Sequence, residues 1–327
     1  MFFIGICGKI EAISLYLILR LLEIIKTHGF YKKGCDEKME QLIIIGAGPA
    51  GVSAALYAIR LGVTPLVIHN GIGALKKASI IENYYGLPAP ISGEKLYETG
   101  LSQLKALNIP VAEEELLSIA YDNGVYQVQT SFHSYESQAI ILATGAKRNP
   151  ITLKEAKKYE GNGISYCAVC DGFFFRNKNV GILGNGDYAL HEAKVLEPLA
   201  KAVTIFTNGL TETFDSSVLG NIQVNHKKLL SVGGENSLEW ITFEDGSKLN
   251  IDGLFVALGS AGSTDIAKKL GLILKDNHIM IETDTSTMLP GFFAAGDCTG
   301  GMMQIAKAVY EGAQAGTKAV KFIKNTK

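Results

Sequence analysis

Two thiols, Cys167 and Cys170, have two residues between them and are followed at once by Asp171 and Gly172. A pair at this spacing can close a small disulfide across one turn. If it opens a helix, the helix N-terminus favours the thiolate and makes the pair reactive. Asp171, beside the second thiol, is placed to give or take a proton, or to cap the turn. The same pair is also half of a zinc site, but zinc needs four ligands. No second C-x-x-C exists, and His191, His226 and His278 lie at no ligand spacing. The chemistry expected here is therefore thiol–disulfide exchange without a metal.

Two strand–turn–helix units must position this pair. Residues 41–45 are apolar without alternation, the pattern of a central parallel strand. Gly46-Ala47-Gly48-Pro49-Ala50-Gly51 follows, and residues 52–61 carry apolar positions at helical spacing. In that context Gly46 permits the tight turn, Gly48 lets the backbone approach a pyrophosphate, and Gly51 lets helix and strand pack closely. The first amides of the helix then face the phosphates. The next strand, 64–68, ends in His69-Asn70 where a ribose-binding carboxylate is expected, which leaves Asn70 to bond the ribose. Residues 137–142 read as a strand running into Ala143-Thr144-Gly145-Ala146, a turn that brings a strand end back over a nucleotide. From composition alone, residues 82–86 are a surface turn.

The second unit follows the dithiol. Residues 179–183 form a strand, Gly184-Asn185-Gly186 a glycine turn, and 188–200 a helix. The strand at 202–206 ends in Thr207-Asn208-Gly209. An NAD site wants an acid there and an NADP site an Arg nearby. Neither is present, and residues 210–219 contain no Arg or Lys. The fold signal survives without the chemistry that selects a nucleotide. Residues 227–252 read as hairpin strands with turns at Glu235-Asn236 and Asp245-Gly246, and 254–259 as a buried strand. Residues 291–297 are a strand and a Gly296-Asp297 turn, where Asp297 can accept a hydrogen bond from a cofactor hydroxyl. The last helix spans 304–323.

A chain of 327 residues implies about two domains. A net charge of −1 carries no footprint of nucleic-acid binding or of an anionic membrane surface. Five cysteines with one tight pair fit a reducing, cytoplasmic compartment rather than a secreted disulfide framework. Residues 10–26 are apolar, but Glu11, Arg20, Glu23 and Lys26 interrupt any bilayer-length run. This stretch is either a packing or interfacial helix, or a leader before a true start at Met39. The second is preferred because the first strand begins directly there.

These residues together resemble the low-molecular-weight thioredoxin reductases, from about Met39 to the C-terminus. GAGPAG, ENYYG, ATGA, SYCAVCDGFFF and FFAAGD occur in that family's order and at its spacing. The resemblance implies an α/β fold of two Rossmann-like, doubly wound domains. Residues 150–253, an NAD(P)-binding-like domain carrying the dithiol, would be inserted between two parts of an FAD-binding domain, 39–149 and 254–327, with 1–38 as an extension. It implies FAD at the first turn, its pyrophosphate held by Gly46, Gly48, Pro49, Ala50 and Gly51. Asn83 and Thr144 would sit near the flavin, Asp297 at the ribitol chain, and Gln304 with Ile305 at the pyrimidine ring. Gly73, Gly145 and Gly296 complete the cofactor-binding set. Cys170 would be the thiol nearest the flavin, Cys167 the thiol that attacks a thioredoxin disulfide, and Asp171 the proton carrier. A homodimer is implied, as is rotation of one domain against the other.

Three departures stand against this pattern. The family's H-R-R-x-x-x-R segment for the NADP phosphate reads T-N-G-L-T-E-T from Thr207, its G-G-Q reads Ile72-Gly73-Ala74, and the second turn carries Asn185 and Tyr188. Each lost charge-assisted bond is worth about 1.5–3 kcal/mol, so NADPH affinity should fall by roughly hundreds-fold or more. Some clostridial relatives of the family take electrons from reduced ferredoxin instead of NADPH. A flavin accepts electrons singly, so ferredoxin is the donor expected ahead of NADPH or NADH. Two other classes stay open at this point: a small-molecule dithiol oxidase on the same scaffold, and a non-enzymatic redox sensor.

Overall fold

β1 (Met39–Ile45) is the central apolar strand expected of its sequence, with Leu42, Ile43 and Ile44 wholly buried. Its side chains alternate between two cores, Leu42 and Ile44 in one, Ile43 and Ile45 in the other. An apolar run without alternation therefore suits a strand covered on both faces. The computed structural model describes residues 39–146 and 151–326, so the expectations for residues 1–38 lie outside it. From β1 the chain runs through α1 (Pro49–Arg60), β2 (Leu66–His69), α2 (Gly93–Ala106), β3 (Val111–Glu113), β4 (Leu116–Asp122), β5 (Val125–Thr130) and β6 (Ser134–Leu142). These strands lie in the order β3-β2-β1-β6-β5-β4, parallel as far as β6 and antiparallel beyond it.

The next segment builds a second sheet. It comprises β7 (Ile164–Ser165), α3 (Ala168–Asp171), β8 (Asn179–Leu183), α4 (Asp187–Leu196), β9 (Ala202–Phe206), β10 (Gln223–Asn225), β11 (Leu229–Gly233), β12 (Trp240–Phe243), β13 (Lys248–Asn250) and β14 (Gly253–Val256). The parallel order is β10-β9-β8-β14-β7, while β11, β12 and β13 form a separate antiparallel meander. Two expectations need correction. The helix ends at Leu196 rather than at 200, because Pro198 has no N–H to continue the ladder to the Lys194 carbonyl. The strand at 254–259, expected in the second part of the flavin domain, instead pairs with β8 (Leu254↔Gly181, Val256↔Leu183) and with β7. A short, fully buried run fits the centre of either parallel sheet, and its sequence does not say which.

The chain then forms α5 (Ser263–Lys269), β15 (Leu274–Lys275), β16 (His278–Ile279), β17 (Phe292–Ala294) and α6 (Ile305–Asn325). β17 returns to the first sheet beside β6, with Phe292 opposite Ile140. Helices α1 and α6 share one core, in which Ala54, Ala58, Ala315 and Ala319 let them approach closely. The other core is continuous from Ile43 and Ile140 through Ala189 and Ile266 to Ile182, joining the two sheets. Among the described residues no helix is long and apolar enough to cross a membrane. Both glycine turns and the dithiol lie just past the C-terminal ends of parallel strands, where α/β sheets bind ligands.

Candidate active site

Edge strand β7 delivers the dithiol. Cys167 and Cys170 are joined as a disulfide with a Cα–Cα separation of 5.3 Å. Cys167 is the extended residue that caps α3, and the Cys170 N–H donates to its Sγ at 3.1 Å. Ser165 ties this segment together. Its hydroxyl donates to Asp171 Oδ2 at 2.6 Å and accepts from the Cys167 N–H at 3.1 Å. Asp171 thus lies within the same turn as both sulfurs, held in a fixed rotamer. Sequence reasoning passed over Ser165, although its spacing of two residues before Cys167 and six before Asp171 was visible. Cys167 is only 2% exposed, whereas Cys170 is exposed. Next to them Phe173 and Phe174 are 47% and 70% exposed, an unusual display for two large apolar rings. The remaining described cysteine, Cys298, is buried, and burial pushes its thiol up to about 12, so it is no nucleophile at neutral pH.

The first glycine turn is an open cradle. Gly46 has φ +114°, and a Cβ there would lie 2.3 Å from the Ala143 carbonyl oxygen, so β1 and β6 release their turns against each other. At Gly48 a Cβ would meet nothing within 4 Å, which leaves the backbone bare toward a ligand. The α1 N-terminus has Pro49 in its first turn, no side-chain cap and no acidic residue, so its amides are available to an anion. Thr144 Oγ1 is buried with no hydrogen-bond partner, an orphan in the turn that closes over this cradle. A Cβ on Gly296 would lie 3.0 Å from that of Ala50, which brings the Gly296-Asp297 turn onto the first turn of α1. Glu311 Oε2 accepts the Gly296 N–H at 2.8 Å and Lys307 donates to the Gly296 carbonyl at 2.8 Å, fixing that turn. Asn83 Nδ2 donates to Gln304 Oε1 at 3.1 Å, so the residues expected beside the flavin meet across the chain, with Ile305 opening α6 next to them. Gly145 follows Thr144 in the closing turn. Gly73 starts an exposed 3₁₀ turn with nothing within 4 Å of a Cβ. Bare glycine backbone, free helix amides and an orphaned hydroxyl fit a dinucleotide such as FAD.

The second glycine turn is different. Asn185 Nδ2 donates to the Thr211 carbonyl at 2.9 Å, and the Thr213 N–H donates to the Asn185 carbonyl at 2.8 Å. The segment that lacks the expected arginines is thereby folded onto the turn itself. Asp187 occupies the first turn of α4. Burial raises its carboxyl above the ordinary range. Glu115, just before β4, is pushed up to about 7 by burial and then by Asp187. Glu212 lies 3.6 Å from His226. A phosphate entering here would meet these acids and, in place of the family's arginines, Lys228, whose stem packs beside Gly209.

Residues 40–312 match the pyridine nucleotide-disulphide oxidoreductase family. The thioredoxin reductase of Listeria innocua is 31% identical over 314 residues, covering 89% of this chain and 96% of its own length. That of Treponema pallidum is 32% identical, covering 86% and 96%. Among solved structures, an atypical thioredoxin reductase from Desulfovibrio vulgaris Hildenborough is 38% identical with a TM-score of 0.82, covering 88% of this chain and 98% of that one. A ferredoxin-flavin thioredoxin reductase from Clostridium acetobutylicum is 29% identical with a TM-score of 0.67, covering 88% and 100%. With a C-x-x-C disulfide launched from the second sheet and an open dinucleotide cradle on the first, the chain belongs to the pyridine nucleotide-disulphide oxidoreductases and, among them, to the low-molecular-weight thioredoxin reductases.

Proposed function

We propose that this thioredoxin reductase takes electrons from reduced ferredoxin rather than from NADPH and delivers them in pairs through Cys167 and Cys170 to a thioredoxin disulfide. The carrying observation is the contrast between the two glycine turns. The first is open, with bare backbone and free amides, while the second is stapled shut by Asn185 and Thr213 and flanked by acids. FAD bound at the first turn supplies the means to collect single electrons and release two. The likeness to a ferredoxin-flavin thioredoxin reductase supports the same donor class.

The chain's own residues perform the rest. Gly48 and the α1 amides would hold the pyrophosphate, the orphaned Thr144 hydroxyl would donate to the cofactor, and Asp297 would accept from a ribitol hydroxyl. As the Cys167–Cys170 bond opens on taking up two electrons, Asp171, oriented by Ser165, gives one proton to the Cys170 sulfur and leaves Cys167 as the thiolate. The freed Cys167 thiolate then attacks a thioredoxin sulfur, and Cys170 resolves the mixed disulfide. With Cys167 at 2% exposure, that attack requires the dithiol segment to turn outward from its present packing.

Anaerobic titration of the flavin protein tests the donor. Reduced ferredoxin should bleach the flavin absorbance at stoichiometric amounts, and NADPH should leave it unchanged at the same concentration. Bleaching by stoichiometric NADPH would overturn the proposal. The exposed rings give a second expectation. Phe173→Ala and Phe174→Ala should each raise the KM for thioredoxin about tenfold, ~1.4 kcal/mol, with flavin content unchanged. Steady-state kinetics with thioredoxin as the varied substrate provides the check.

A further inference from the structure

One buried charged pair touches the dithiol turn from outside the residues assigned so far. Glu192 on α4 and Lys269 at the end of α5 have side chains 2% and 4% exposed, and Lys269 Nζ donates to Glu192 Oε1 at 2.5 Å. The other oxygen, Oε2, accepts the Ala168 N–H at 2.9 Å. Ala168 is the first residue of α3 and follows Cys167 directly. The ammonium also lies 5.1 Å from the centroid of the Tyr188 ring. Burying an ion pair costs more in desolvation than it returns unless its remaining atoms are hydrogen-bonded. Here the remaining oxygen is bonded, and its donor is the reactive turn.

The first amides of a helical turn normally lend their partial positive charge to a thiolate at the cap. In this turn the Ala168 amide is directed to a carboxylate, and the Cys170 amide is the one aimed at Cys167 Sγ. A nearby carboxylate disfavours the thiolate, and a nearby ammonium favours it. The other titratable groups on α3 and the helices against it are Asp171, then Asp187, Tyr188, His191 and Lys194 on α4, and Asp265 and Lys268 on α5. Asp171 is bonded to Ser165, and Lys194 to Glu197. Burial first, then the Lys269 ammonium, pushes His191 down to about 4, which keeps that ring neutral.

We propose that Glu192 and Lys269 are positioning residues that set the acidity of Cys167, with Glu192 holding the first amide of the dithiol turn and Lys269 balancing its charge. Neither takes the thiol proton, which leaves to solvent or to a base. The pair sets how readily it leaves. The proposal rests on Cys167 being the exchanging thiol.

The test uses the reduced, flavin-containing Cys170→Ser protein, in which Cys167 is the single thiol of the pair. Its alkylation by iodoacetamide is followed against pH by peptide mass spectrometry. Glu192→Gln keeps the shape and the acceptor for Ala168 while removing the negative charge. The midpoint should fall by about one pH unit, with alkylation near neutral pH up to about tenfold faster. Lys269→Met leaves the carboxylate unbalanced, and the midpoint should rise by about as much. A merely structural role would loosen the turn and move both variants the same way. Shifts in one direction, or an unchanged midpoint in either folded variant, would overturn the proposal. Glu192→Gln alone decides the question if Lys269→Met does not fold. Failure of the underlying reading is separately visible, because Cys167→Ser protein would then still reduce thioredoxin.

Discussion

Cys167→Ser is expected to lower thioredoxin reduction by about 10³-fold or more while leaving flavin content unchanged. A serine hydroxyl stays protonated near neutral pH and forms no bond to a thioredoxin sulfur. The turn itself should survive, because Cys167 caps α3 with extended backbone and Ser is among the favoured residues there. Visible absorbance measures the flavin, and anaerobic reduction of thioredoxin by the prereduced enzyme measures exchange. Cys170→Ser should behave differently. It keeps the attacking thiol but loses the resolving one, so a mixed disulfide with thioredoxin should accumulate and be seen by mass. If Cys167→Ser retained full activity, exchange would belong to Cys170, the more exposed sulfur in this arrangement.

Features carried by local spacing were legible in the sequence. The strand, glycine turn and helix at 39–60, the strands at 179–183 and 202–206 and the meander at 229–250 each follow from apolar period and turn residues a few positions apart. So did the lack of cations after β9. What the spacing did not carry is any pairing between distant positions. Asn83 meets Gln304 across 221 residues, and Glu192 meets Lys269 across 77. No local pattern encodes either, since each polar group alone reads as a solvated surface residue. β14 was assigned to the other sheet for the same reason. Sheet membership is set by which strands it joins, and a run of four buried residues says only that it has neighbours on both sides. The sequence likewise named the missing arginines but not the closure of the second turn, which depends on Asn185 reaching Thr211 and Thr213.

The two glycines of the open cradle should separate binding from folding. At Gly51 a Cβ would stand 1.8 Å from the Gly46 carbonyl oxygen, a backbone atom that cannot rotate away. Gly51→Ala therefore forces α1 off β1. Overpacking in a core ordinarily costs about 1–3 kcal/mol, and a clash with backbone belongs at or above the top of that range. The apoprotein should melt several degrees lower and hold little flavin. At Gly48 a Cβ would meet nothing within 4 Å, so Gly48→Ala leaves the protein's own packing untouched. Its methyl instead stands where the backbone must approach a pyrophosphate. The expected result is an apoprotein as stable as the parent, with flavin affinity lowered about tenfold or more. Thermal melts of the apoproteins, paired with flavin titrations, distinguish the two. If Gly48→Ala bound FAD as tightly as the parent, the pyrophosphate would not lie against this turn.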